Sequence, residues 1–117
     1  MARRGRATKS VIKQRYHTAK VAFPDDADLA RSLGVHRSAV VRWKRGEAPA
    51  PKNYEQLVGL DTVVSLLETF LDVASIPKWL RGLNAHLADR RPIDVIRQGR
   101  LSEVVAAIEA EKAGAFA

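Results

Sequence analysis

Arg37, Ser38, Arg42, Lys44 and Arg45 bring four fixed cations and a hydroxyl into nine consecutive positions. Guanidinium, ammonium and hydroxyl groups at helical spacing suit the hydrogen-bonding edges of bases and the oxygens of a phosphate backbone. The same residues do not suit bond-breaking chemistry. His17, His36 and His86 are scattered without metal-ligand spacing, no Ser-His-Asp arrangement can be argued, and no glycine-rich phosphate loop is present. Without Cys the chain has neither a disulfide framework nor a thiolate metal site, a pattern that suits a reducing cytosol. The expectation is a non-enzyme with no catalytic residue, no metal, no cofactor and no small-molecule substrate.

The 117 residues leave room for one domain, or two very small ones sharing a core. The net charge of +7 is unevenly spread. Residues 1–22 hold Arg3, Arg4, Arg6, Lys9, Lys13, Arg15 and Lys20 with no acid, residues 23–52 are +2, and residues 53–117 are −2. A positive N-terminal end favours a polyanion, because each Lys or Arg brought to a phosphate releases a condensed counterion. A solvated basic tail or a membrane-surface patch would carry the same charge, so residue spacing has to decide. The N-terminus reads as no signal peptide and no run of 18 apolar residues exists, which points to a cytoplasmic location and no membrane partner.

The elements that must position these groups are all helical. Residues 1–9 read as a flexible basic arm, and Val11, Ile12, Tyr16, Ala19 and Phe23 predict an amphipathic helix ending before Pro24. Asp25 is placed to cap a short helix that stops at Gly34. A second helix, over residues 36–45, stops at Gly46, and Ala48-Pro49-Ala50-Pro51 then reads as an extended linker. Two helices joined by so short a turn cross steeply. Leu29, Leu33, Val35, Val40 and Trp43 would then close a small core around Ala30, leaving Arg37, Ser38, Val41, Arg42, Lys44 and Arg45 outside.

This stretch resembles the helix-turn-helix of Xre and lambdoid phage repressors, whose pattern reads Leu-Ala, Leu-Gly-Val, a Ser/Thr-rich helical turn, Trp and a terminal Gly-Glu. The resemblance implies that Arg37, Ser38 and Arg42 read bases of double-stranded DNA from the major groove, where Arg can pair bidentately with guanine. His36, Lys44 and Arg45 are placed for phosphates, as are Arg3, Arg4 and Arg6 of the arm, which either coats the backbone or enters the minor groove. Lys44 and Arg45 would equally complement a helix C-terminus, and Val41 would either touch a thymine methyl or pack inward.

From Asn53 a long helix is expected to run to about residue 74, with Leu57, Leu60, Val64, Leu67 and Leu71 as a heptad-like seam for homodimerisation. Val58, Val63, Leu66, Phe70 and Val73 give it a second apolar face, and Gly59 weakens its first turns. Short helical pieces follow around Trp79 and over residues 84–89. Pro92 starts another helix ending at Gly99, and Ser102 caps a last one over residues 103–112.

Trp79-Leu80, Leu83-Asn84, Leu87, Arg91-Pro92-Ile93-Asp94, Gly99, Val104-Val105, Ile108 and Gly114-Ala115-Phe116-Ala117 resemble the C-terminal domain of the Xre/MbcA/ParS-like antitoxin family. That resemblance implies an all-α fold: an arm (1–9), a lambda-repressor-like helix-turn-helix (10–52) and a small helical dimerisation and toxin-binding domain (53–117). It further implies an autorepressing antitoxin whose partner is a RES-domain, NAD-degrading toxin, with Trp79, Asn84, Gly114, Phe116 and Ala117 at the toxin surface. Phe116 would either enter the toxin's pocket or fold back onto Trp79 or Leu101. The alternative is a solitary phage- or plasmid-type regulator whose second half only dimerises.

Overall fold

Local chemistry sets most of the helix boundaries in the computed structural model, which describes residues 8–115. Helix α1 spans Lys9–Lys20, with the Thr8 side chain accepting from the Val11 N–H. It stops three residues short of the expected boundary, and the turn that follows still buries Ala22 and Phe23. Helix α2 spans Asp26–Leu33; Asp25 caps it by accepting from the Asp28 N–H at 2.8 Å, and Gly34 closes it at φ +70°. Helix α3 spans Arg37–Lys44, capped by the imidazole of His36.

Helix α4 spans Pro51–Leu67. It begins two residues earlier than expected because Pro51, read as linker, has the backbone angle of a first helical residue and no N–H to lose there. It also ends earlier, in a turn where the Thr69 hydroxyl donates to the Leu66 carbonyl at 2.6 Å. A 3-10 turn at Val73–Ser75 leads to α5, Ile76–Arg81, and a second at Ala85–Leu87 to α6, Pro92–Arg97. Gly99 at φ +77° then turns the chain into α7, Leu101–Ala115. Ser102 therefore lies inside α7, which it had been expected to cap, and the helix runs past the expected end at residue 112. The non-helical pairing among the described residues is one antiparallel bridge, Asn84 to Arg90.

One apolar core runs from Ile12 and Tyr16 of α1 to Val104 and Ile108 of α7 and is continuous across residue 52. Helix α4 is its axis, with α1 along one side and α6 and α7 along the other. The first apolar face and Val63 of the second find their neighbours inside the chain, while Val58, Leu66 and Phe70 are half-buried and Val73, beyond the end of α4, is exposed. This overturns the dimer seam: Leu57, Leu60, Val64 and Leu67 are all fully buried, so none of these four is open to a second copy, and Leu71, half-buried, packs against the same core. Gly59, expected to weaken the helix, is buried in it. A Cβ there would come within 3.2 Å of the Ile96 Cγ2 atom, so the missing side chain lets α6 close on α4.

Candidate functional site

Helix α3 rests on a small apolar platform that fixes its outer face. Leu29, Ala30 and Leu33 of α2 and Val40 and Trp43 of α3 are buried, with Val35 and Ala39 packed against them. Arg37, Ser38 and Arg42 are exposed, as are His36, Lys44 and Arg45. Together with Val41, which is half-buried, and Glu47, most of this set lines one shallow concavity of about 650 Å³. The His36 Nδ1 atom accepts from the Ser38 N–H at 3.1 Å and lies 2.8 Å from the Ser38 hydroxyl. The cap therefore holds Ser38 at the exposed start of the helix. With Nδ1 accepting, Nε2 carries the ring proton and is the atom left to donate outward.

Two further contacts seat α3 and α2. Gly46, at φ +90°, lies against Lys9, so that a Cβ there would fall 3.0 Å from the Lys9 carbonyl oxygen. Tyr16 donates its hydroxyl to Asp26, and burial together with that carboxylate holds the phenol protonated far above its ordinary range. Behind α1, Arg15 donates to the Tyr54 hydroxyl at 3.1 Å and to Asp61 at 2.7 Å. Partial burial opposes its charge, yet these two partners raise the guanidinium pKa above its ordinary value.

The residues expected at a partner surface of the second half are brought together only in part. Trp79 is half-buried and donates its indole N–H to Glu111, tying α5 to α7. Asn84 is instead nearly buried: its side chain accepts from the His86 N–H at 2.9 Å, and its backbone pairs with Arg90. The fold uses its side-chain oxygen and its backbone to close the turn before α6, which gives Asn84 a role within the chain that the sequence reading did not assign. Gly114 is exposed on α7, while Phe116, Ala117, Arg3, Arg4 and Arg6 lie outside the described residues.

Sequence reasoning missed a second cationic face. The −2 sum for residues 53–117 hides a segment, 78–100, with six bases and two acids. Within it Arg90 pairs with Glu103 at 2.7 Å and Arg81 with Asp28 of α2, whereas Arg91, which precedes α6, and Arg97, which ends it, are exposed and form no ion pair among the described residues. A charge count in a shorter window would have found the segment. No group of three or more His, Cys, Asp or Glu placed to hold a metal occurs among the described residues.

These features define a small all-α protein with an exposed cationic helix at one end. Over 92% of the chain it superposes, with a TM-score of 0.76 and 23% identity, on 97% of a chain from the crystal structure of the Mycobacterium tuberculosis MbcT–MbcA toxin–antitoxin complex, which establishes the fold. No protein-family model matches the chain. It is 32% identical over 89 residues, 76% of each chain, to the probable mycobacterial cidal antitoxin Rv3188 of M. tuberculosis. It is also 32% identical over 79 residues, 67% of this chain and 70% of the relative, to the mycobacterial cidal antitoxin MbcA of Mycobacterium bovis. The chain belongs to the mycobacterial cidal antitoxin family.

Proposed function

We propose that this protein is an antitoxin with two ligands: it occludes a toxin through its second half and represses its own transcription by reading duplex DNA through α3. The observation that carries the DNA reading is the joint exposure of Arg37, Ser38 and Arg42 on a helix locked to α2 by Leu29, Leu33, Val40 and Trp43. As the second helix of a helix-turn-helix, α3 would lie in the major groove with those side chains at base edges. His36, Lys44 and Arg45 would hold phosphates, with Arg3, Arg4 and Arg6 of the arm adding to them.

Kinship supports the toxin: the solved relative is described as part of a complex with MbcT. By resemblance the partner here is a RES-domain toxin that degrades NAD, met by α7 and the residues beyond it, with Gly114, Phe116, Ala117 and the exposed part of Trp79 at the contact. Reading an operator would take a homodimer, because two recognition helices about 34 Å apart enter successive major grooves. With the α4 seam buried, that dimer would use another surface; Val21, Val73 and Leu83 are the exposed large apolar residues among those described.

The test is co-expression with the product of the neighbouring reading frame, followed by selection of binding sites from a random duplex pool. Co-purification of a toxin and a selected consensus support both halves. A homodimer that selects DNA but retains no toxin shifts the reading to a solitary regulator, and a toxin complex that selects no sequence removes the repressor role.

A further inference from the structure

The unpaired arginines of the described chain fall into two groups. Arg37, Arg42 and Arg45 line the outer side of α3, while Arg91, just before α6, and Arg97, at its end, lie in the half whose net charge is negative. An arginine left without an in-chain acid in a concave site is poised for an external oxyanion. Arg91 and Arg97 share such a site with Arg81 and Ser32, a hollow of about 400 Å³. Arg81 is held there by Asp28, whose charge is already shared with Arg31 at 3.3 Å. Asp94 is the remaining acid on the hollow.

The hollow adjoins the turn between α2 and α3. Arg97 and Asp94 also line a second, larger concavity of about 660 Å³ whose other wall is Leu33-Gly34-Val35, the turn that delivers the chain to His36, with Lys52 at its rim. A Cβ on Gly34 would lie 3.1 Å from an Arg97 guanidinium nitrogen, so the guanidinium sits over the turn itself. The two ends of α3 are therefore both bracketed by cations from outside it: Lys9 against Gly46 at the C-terminal end, Arg97 over Gly34 at the N-terminal end. A helix about 10–12 Å in diameter fits the B-DNA major groove, whose two edges are rows of phosphates, so cations beside the ends of α3 would lie near those rows.

We infer that Arg91 and Arg97 form a second phosphate-backbone contact, extending the DNA footprint from α3 onto α6. This rests on the DNA reading above. The site takes a phosphodiester oxyanion without regard to base sequence, so the second half of the chain positions the first on DNA.

The experiment is a salt titration of duplex binding with the full chain, on the selected site and on random duplex. Each phosphate contact contributes about 0.9 to the slope of log K against log salt, so R91A/R97A should flatten the slope by about 1.8 equally on both duplexes. R91K/R97K should keep most of the wild-type slope, and an unchanged melting temperature for both variants excludes a folding effect. Wild-type protein that binds no duplex sinks the DNA reading as a whole. If the wild type binds and R91A/R97A keeps its slope, this contact alone is overturned, as it is if the variant loses the toxin while keeping the slope.

Discussion

Arg42 stands on the exposed side of α3 with no acid among the described residues to hold it. Its replacement should therefore act on the ligand and leave the fold alone. We predict that Arg42→Ala costs about 1–3 kcal/mol on the selected duplex and relaxes the preference at one base pair. Equal losses on selected and random duplex would assign Arg42 to phosphate. Glu103 gives a prediction of the opposite kind. Its hydrogen bond with Arg90, and the nearby charge of Arg100, hold its carboxyl below the ordinary value. A lowered folded-state pKa stabilises the protein above the ordinary carboxylate range, and that contribution is lost as pH falls through the folded value. Melting temperature followed downward from pH 6 should fall less in Glu103→Gln than in wild type, and parallel curves would remove Glu103 from the acid limb. At this scale the outward set on α3 was legible because burial and exposure on so short a helix follow from its period. Asn84 was not, since an Asn that closes a turn and an Asn that meets a partner look alike until the turn is seen.

Among the elements, the α2–turn–α3 unit followed from sequence almost residue by residue, because Asp25, Gly34 and Gly46 each answer a local backbone need. The misplaced ends of α4 and α7 lack such a marker: Pro51 serves a linker and a helix start equally, and Ser102 has no capping role where the turn at Gly99 has already begun the helix. Gly59 shows what local reading cannot supply. Its helical cost is local, whereas its benefit, the approach of Ile96, is tertiary. Ile96 is itself buried and cannot yield easily. We predict that Gly59→Ala, despite a propensity gain of about 1 kcal/mol, leaves stability unchanged or lowers it, and that Gly59→Val destabilises by roughly 1–3 kcal/mol in denaturant unfolding. A clear gain for Gly59→Ala would mean that α6 moves aside freely.

Over the whole molecule the outcome turns on α1. Ile12, Tyr16 and Ala19 are buried, chiefly against α4, so the N-terminal half completes its core with residues from the other half. The apolar pattern of α4 announced two neighbours but not their identity, and a seam that fits a second copy fits α1, α6 and α7 as well. We predict one cooperative unfolding transition for the full chain and no folded baseline for a fragment of residues 1–52; a fragment with a sigmoidal melt would show two independent units. Deleting residues 114–117, by contrast, should abolish toxin neutralisation and leave duplex affinity unchanged.

That shared interior also has a bearing on geometry along DNA. On the proposed reading, the continuous core between α3 and α7 would hold cargo seated on α7 at a set azimuth around the duplex, as a clock hand is held on its spindle. Two occupied sites a whole helical turn apart would carry their cargo on one side of the duplex, and inserting roughly five base pairs between them would swing the two onto opposite sides.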